Sequence, residues 1–327
     1  MPLLLMPALP TRKTDEMKNS RLKCVLYLLA ACIFSVTLAA LFAPPGWRSG
    51  IYREVAPFYL KYCVDIPRGD DIHRFYLNDG YASPGAYIAH GGGVGQYVYN
   101  NSLEAAQDSI AQGFRFIEFD LIVTSDGHLV AGHSWEDFRK MAHLPVEAEP
   151  LSLAQVQESS RPGEFSPMVA KDICRLLEEN PGLMVVTDKI ADYGLLLKEI
   201  PYPDRMIVEV VGGVFGYQRA IKAGVRYPSL AVYDIGQMQL ARDCRIPIVS
   251  LGNEHFFDTP EGIELTKEMH DMGITILLCE PRGDAAEFIR AHLGRSFSMI
   301  YTDSWSPAHL PQPAPGSASS QISQQAG

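Results

Sequence analysis

The run Phe116-Ile117-Glu118-Phe119-Asp120-Leu121-Ile122-Val123 places two acids inside a strand-like stretch of aromatic and β-branched residues. Strand residues two apart face the same way, so Glu118 and Asp120 present two carboxylates together. Like charges in a partly buried site resist joint ionisation. A divalent cation is the simplest compensation, and oxygen donors suit Mg2+ or Ca2+. The plainer reading of the same residues is a solvated strand face. The run leads into Asp126-Gly127, a strong hairpin turn signal, and a second apolar run then delivers His133.

The elements that must carry these groups alternate in type. Strands are expected at Ala86–His90, Phe116–Val123, Leu129–His133, Leu183–Asp188, Met206–Val211, Ser229–Tyr233, Ile246–Leu251, Ile274–Cys279 and Met299–Thr302. Helical runs fall between most of them. The first is Ser102–Gln112, opened by Asn101 with Glu104 three residues on, a capping-box spacing. Strands alternating with helices argue for an α/β fold with a parallel sheet and helices outside. Residues 85–305 are then the right length for a (β/α)8 TIM-type barrel, for which about 250 residues is typical.

In such a barrel the active site lies at the C-terminal ends of the strands. The polar residues there are His90, Glu118 with Asp120, His133, Asp188 with Lys189, Glu209, Asp234, Glu280 and Asp303. His90 opens His90-Gly91-Gly92-Gly93, and glycines after a strand let backbone N–H groups approach an anion. A tight turn is the plainer reading of the same glycines. Lys189 directly follows Asp188, so strand alternation points the two apart unless the strand ends or bulges there.

The remaining composition bounds the problem. The chain has 327 residues, is 47% hydrophobic and carries a net charge of −10, which suits one large domain or two small ones and makes nucleic acid an unexpected partner. Its six cysteines show no zinc spacing. Cys24–Ala43 is apolar and uncharged, and at ~1.5 Å per residue it is long enough to cross a hydrocarbon core of ~30 Å. Lys18, Arg21 and Lys23 precede it, which leaves residues 1–23 in the cytoplasm and the barrel on the non-cytoplasmic side, periplasmic or extracellular. Two rival readings are a cleavable signal ending near Ala39 or Ala40, and a lipoprotein box at Leu29-Ala30-Ala31-Cys32. Residues 44–84 read as a membrane-proximal lead-in with a short helix near Ile51–Tyr62. Residues 306–327, rich in Pro, Ser, Gln and Ala, read as a disordered tail.

The patterns Ile88-Ala89-His90-Gly91-Gly92, Asn101-Ser102-Leu103-Glu104-Ala105, Ile117-Glu118-Phe119-Asp120, Thr124-Ser125-Asp126-Gly127 and His133 together resemble the glycerophosphodiester phosphodiesterase family. That family belongs to the phosphatidylinositol-phospholipase-C-like phosphodiesterase superfamily. Gly273–Leu278, Asp284–Leu293 and Ile300–Asp303 resemble its closing strand–helix–strand, so the likeness runs from about Gly85 to Asp303. The resemblance implies a phosphodiester hydrolase with His90 and His133 as its acid/base pair. It implies Glu118, Asp120 and Asp188 as ligands of a divalent metal. Lys189, Gly91, Gly92, Asn101 and Glu209 are expected toward the substrate. The expected substrate is a lipid-derived or cell-envelope phosphodiester.

The family usually carries an Arg directly after the first His, where this chain has Gly91, and that removes a bidentate phosphate clamp. A Glu common before the Asn is Asn100 here. Two other readings stand beside hydrolysis of a glycerophosphodiester. One is a phospholipase of the sphingomyelinase-D-like kind, and the other is a degenerate barrel that binds phosphorylated ligands without turnover. A metal-assisted amidohydrolase is less consistent with the chain, which has no HxH pair.

Overall fold

The structure is a computed structural model that describes residues 55–67, 84–210, 212–252, 254–279 and 285–310. Its strands are β1 (Tyr87–Ala89), β2 (Phe116–Val123), β3 (Leu129–Ala131), β4 (Met184–Asp188), β5 (Met206–Val210), β6 (Tyr227–Val232), β7 (Ile248–Leu251), β8 (Thr275–Leu278) and β9 (Met299–Thr302). They form one sheet in the order β1-β9-β8-β7-β6-β5-β4-β2-β3, and an additional β1–β2 pairing closes it. All the barrel pairings are parallel, as in Ile88 opposite Phe116 and Ala89 opposite Thr302. Closure leaves no free edge around the ring.

The third expected strand has a different role. β3 pairs antiparallel with β2, Leu121 opposite Ala131, and lies outside the ring. Asp126-Gly127 makes the turn: Thr124 N–H donates to His128 O at 2.8 Å, and Gly127 has a φ of 85°. His133 therefore reaches the top of the barrel from a hairpin arm. β6 begins at Tyr227, two residues before the expected Ser229. Pro228 is inside β6, opposite Val208.

The helices follow the strands: α1 (Leu103–Ala111), α2 (Trp135–Met141), α3 (Leu153–Glu158), α4 (Ala170–Glu179), α5 (Tyr193–Glu199), α6 (Gly213–Ala223), α7 (Ile235–Asp243), α8 (Pro260–Asp271) and α9 (Ala286–His292). Side-chain caps fix several starts. Asp234 accepts from Gln237 N, and Thr259 accepts from Gly262 N with Pro260 in the first turn. α1 is capped by Ser102, whose Oγ accepts from Ala105 N, and not by Asn101. Glu104 does not complete a capping box either. Its carboxylate accepts from Ser166 N, Ser166 Oγ and Gly163 N, which tie the 160s segment to the barrel.

The barrel interior explains which side chains reach the site. Ile88, Phe116, Met184, Val186, Ile207, Tyr227, Ile248, Leu277, Met299 and Tyr301 pack together inside the ring. Burying each such side chain stabilises the fold by about 1.5–3 kcal/mol. Because strand residues alternate, every second position above this layer also points inward. Those positions are His90, Glu118, Asp120, Asp188, Glu209, Ser250, Cys279 and Asp303.

The single-pass membrane expectation is corrected. Among the described residues no helix is long and apolar enough to cross a membrane. α8, the longest of those named above, has 12 residues, well short of the ~20 that a span requires. The Cys24–Ala43 segment lies outside the described residues, as do the expected cytoplasmic residues 1–23. The lead-in contains a helix that runs to residue 63, close to the expected place. At the other end Ser306 is buried, and Ala308 N–H donates to Gln112 O. Residues 311–327 of the expected tail lie outside the described residues.

Candidate active site

A cavity of about 230 Å³ opens at the C-terminal ends of the strands, and its lining includes His90, Tyr99, Glu118, Asp120, Asp188, Lys189, Glu209, Ser250, Cys279 and Tyr301. Glu118, Asp120 and Asp188 come from β2 and β4, which are paired so that Asp120 stands opposite Asp188. One carboxylate oxygen from each lies within 4.8 Å of the others. Glu118 and Asp120 are almost fully buried, at 4% and 2% exposure.

Three acids this close cannot all ionise freely. Burial, then Asp120, then Asp188 raise the Glu118 carboxyl well above the ordinary carboxylate range. Burial and Asp120 push the Asp188 carboxyl up to about 8, against an opposing pull from Lys189. Asp188 Oδ1 is buried with no hydrogen-bond partner among the described residues. Three hard oxygen donors, one of them orphaned, fit a divalent cation such as Mg2+ or Ca2+.

Lys189 joins this group because the strand ends before it. β4 ends at Asp188, and Lys189 takes a left-handed conformation with φ 58°. That turn returns its side chain to the cavity, where Nζ lies 3.2 Å from Asp120 Oδ1 and 3.6 Å from Asp188 Oδ2. Glu209 lies deeper. It accepts from Tyr301 OH, and burial raises its carboxyl.

Both histidines lie near the acids, His90 in the same cavity lining and His133 against Asp120. His90 Nδ1 lies 3.1 Å from Asp303 Oδ1. His133 Nδ1 lies 2.7 Å from Tyr99 OH and 3.3 Å from Asp120 Oδ1. Its side chain is 36% exposed at the rim and is not part of the cavity lining.

Gly91, Gly92 and Asn101, expected toward substrate, serve the scaffold. Gly91 N–H donates to Glu118 Oε2 at 2.7 Å, so it is not available to an anion. Gly92 packs under Phe119 and Ala105. Asn101 Nδ2 donates to Asp120 Oδ2 at 2.9 Å, and Asn101 Oδ1 accepts from Asp120 N, which orients that carboxylate. Asp234 caps α7 and so faces away from the cavity. Glu280 lies outside the described residues.

The glycine run has a different purpose: it lets the following loop fold back over β1. Gly91 has φ 53°, and a Cβ there would lie 2.6 Å from Tyr99 Cα. Asn101 N–H donates to Gly91 O at 2.6 Å and closes the loop. Tyr99 and Asn101 both hold positive φ, 57° and 53°, which costs about 1–3 kcal/mol each for a non-glycine residue. The strained loop delivers Tyr99 into the cavity and against both imidazoles. Its ring centroid is 4.5 Å from that of His90 and 5.0 Å from that of His133. Sequence reasoning missed Tyr99, because a tyrosine in a loop carries no spacing signal. It could have been sought only by asking what three successive glycines make room for.

Comparison with known proteins agrees with this geometry. Residues 90–196 match the model of the Glycerophosphoryl diester phosphodiesterase family. A glycerophosphoryl diester phosphodiesterase from Parabacteroides distasonis superposes with a TM-score of 0.56 at 16% identity, over 74% of this chain and 90% of that one. A glycerophosphodiester phosphodiesterase from Thermotoga maritima gives 0.54 at 17% identity, over 67% and 94%. At such identity the likeness concerns the fold. No curated protein sequence matches the chain. The matched segment runs from His90 through Glu118, Asp120, His133, Asp188 and Lys189, and over these residues the chain is similar to the glycerophosphoryl diester phosphodiesterase family.

Proposed function

We propose that this phosphoric diester hydrolase cleaves a glycerophosphodiester-type substrate, with His90 as general base, His133 as general acid, and Glu118, Asp120 and Asp188 as ligands of a divalent cation. The observation that carries the reading is a pair of histidines, each engaged at Nδ1, beside three clustered carboxylates: His90 lines their cavity and His133 touches Asp120. A bound cation would supply Lewis-acid neutralisation of a non-bridging phosphate oxygen.

The chain's own residues do the rest. A phosphodiester resists hydrolysis because its charge repels nucleophiles and its alkoxide leaves poorly. Asp303 accepts the Nδ1–H of His90, which leaves Nε2 with a lone pair to take a proton from water or a substrate hydroxyl. If the nucleophile is a substrate hydroxyl, a cyclic phosphate forms first. His133 supplies the proton that the leaving oxygen needs. Lys189, in the cavity lining, adds positive charge beside the phosphate, and Glu209 in the same lining is left for the alcohol portion. A cavity of about 230 Å³ takes a phosphate with a small alcohol and leaves any long chain outside.

The test is cation binding. Calorimetry should show saturable binding of Mg2+ or Ca2+ to the parent. Glu118→Gln and Asp120→Asn should weaken it at least about tenfold, because each removes one of few charged donors. Equal binding by both variants would remove the metal assignment.

A further inference from the structure

We propose that Tyr99 is the catalytic residue that hands the proton to the leaving oxygen, with His133 behind it as the second member of a relay. The proposal deepens the acid–base reading above and rests on it.

Tyr99 lines the cavity and His133 does not. The Tyr99 ring packs against both imidazoles, edge-on to that of His90. His133 Nδ1 meets the phenol oxygen at 2.7 Å. His133 Nδ1 also lies 3.3 Å from Asp120 Oδ1, and the Tyr99 hydroxyl gives it a hydrogen-bonded path into the cavity. The loop is built for this placement: Gly91 has no room for a side chain beneath Tyr99, and Tyr99 itself holds a left-handed backbone. Burial first, then Asp120 and Glu118, raise the phenol above its ordinary range, so it stays protonated and is a donor.

The step balances. Water attacks phosphorus and gives one proton to His90 Nε2. The bond from phosphorus to the leaving oxygen breaks, and its electron pair stays on that oxygen. The oxygen takes the Tyr99 hydroxyl proton, and the phenol oxygen takes the Nδ1 proton of a protonated His133. His133 is exposed enough at the rim to recover a proton from solvent, and His90 releases the one it gained.

A leaving-group comparison on the full chain tests this. A glycerophosphodiester needs its alkoxide protonated, whereas p-nitrophenolate leaves as a stable anion. Tyr99→Phe and His133→Gln should each lower turnover of glycerophosphocholine by about 10²–10⁴-fold. Both should lose far less on bis-p-nitrophenyl phosphate, and the double variant should be little worse than the poorer single one. Equal losses of Tyr99→Phe on both esters would make Tyr99 only a wall, and parental turnover of glycerophosphocholine would also overturn the relay. If His133→Gln shows the leaving-group dependence and Tyr99→Phe does not, the relay fails while the acid role of His133 stands. If His133→Gln lacks it too, the underlying assignment fails. Should Tyr99→Phe not fold, 3-fluorotyrosine at position 99 carries the test. A more acidic phenol of nearly the same shape must change the ratio of the two rates, and an unchanged ratio overturns the proposal.

Discussion

Asp188→Asn should stabilise the chain once cations are stripped with EDTA, although it removes a proposed metal ligand. In the folded chain burial and Asp120 push the Asp188 carboxyl up to about 8, while its ordinary value is 3.8. Between those values the folded state holds a proton that the unfolded state has lost, so this group's contribution is fully present below the ordinary value and is lost as pH rises through the raised one. At pH 7 the distance from the ordinary value is about three units. At about 1.4 kcal/mol per unit, the carboxyl costs the folded chain about 4 kcal/mol relative to a group that never ionises. Asparagine keeps the shape without the charge, and Lys189 keeps its contact with Asp120. Urea unfolding at pH 7 in EDTA should therefore show Asp188→Asn more stable by about 2–4 kcal/mol at an unchanged m-value. Excess cation should narrow that gap, because a ligand 100-fold above its Kd adds about 2.7 kcal/mol to a parent that binds it. The parent in EDTA should also lose stability from about pH 5 to pH 8. Carboxyls held low, such as those of Glu104 and Asp137, give up their contribution only at lower pH. An Asp188→Asn variant less stable than the parent in EDTA would refute the reasoning.

Three other outcomes are expected. Asp303→Asn should lower kcat by about 10²–10⁴-fold with little change in KM, because the partner of His90 Nδ1 then no longer selects the basic Nε2; steady-state kinetics decide it. Gly91→Ala should cost about 2 kcal/mol or more in urea, since it combines a left-handed backbone with a Cβ pressed against Tyr99, and it should lose turnover because Tyr99 moves. Lys189→Gln should raise KM for an anionic diester by about tenfold, the worth of one charge-assisted contact, and an unchanged KM would place Lys189 in a purely structural pairing with Asp120 and Asp188.

The barrel was legible because its strands are short apolar runs spaced by helices, and parity along them carries the site. Once Phe116 is inside, Glu118 and Asp120 must be too, and the same count delivers Asp188 and Glu209. At Lys189 the stated exception to alternation holds: the strand stops at Asp188 and a left-handed residue turns the side chain back. The glycines after His90 were read as an anion cradle, or else as a tight turn. Which of the two they form depends on a loop that returns from Tyr99, a long-range contact that local pattern does not encode. The third strand was found, but pairing direction is set by the Asp126-Gly127 hairpin, which makes it an arm of β2 and not a stave of the barrel. Hydropathy alone suggested a membrane span at Cys24–Ala43, and no helix among the described residues supports one.

The central claim is hydrolysis of a phosphodiester at the cluster of Glu118, Asp120 and Asp188 beside His90 and His133. Phosphorus NMR of the full chain with glycerophosphocholine, in excess Mg2+ or Ca2+ and again in EDTA, tests it most directly. The account predicts that the diester resonance gives way to a phosphomonoester, directly or through a cyclic phosphate, only when cation is present, and that His90→Ala abolishes the change. A diester that binds saturably in the presence of cation yet persists unchanged would contradict the account and identify a binding module in its place.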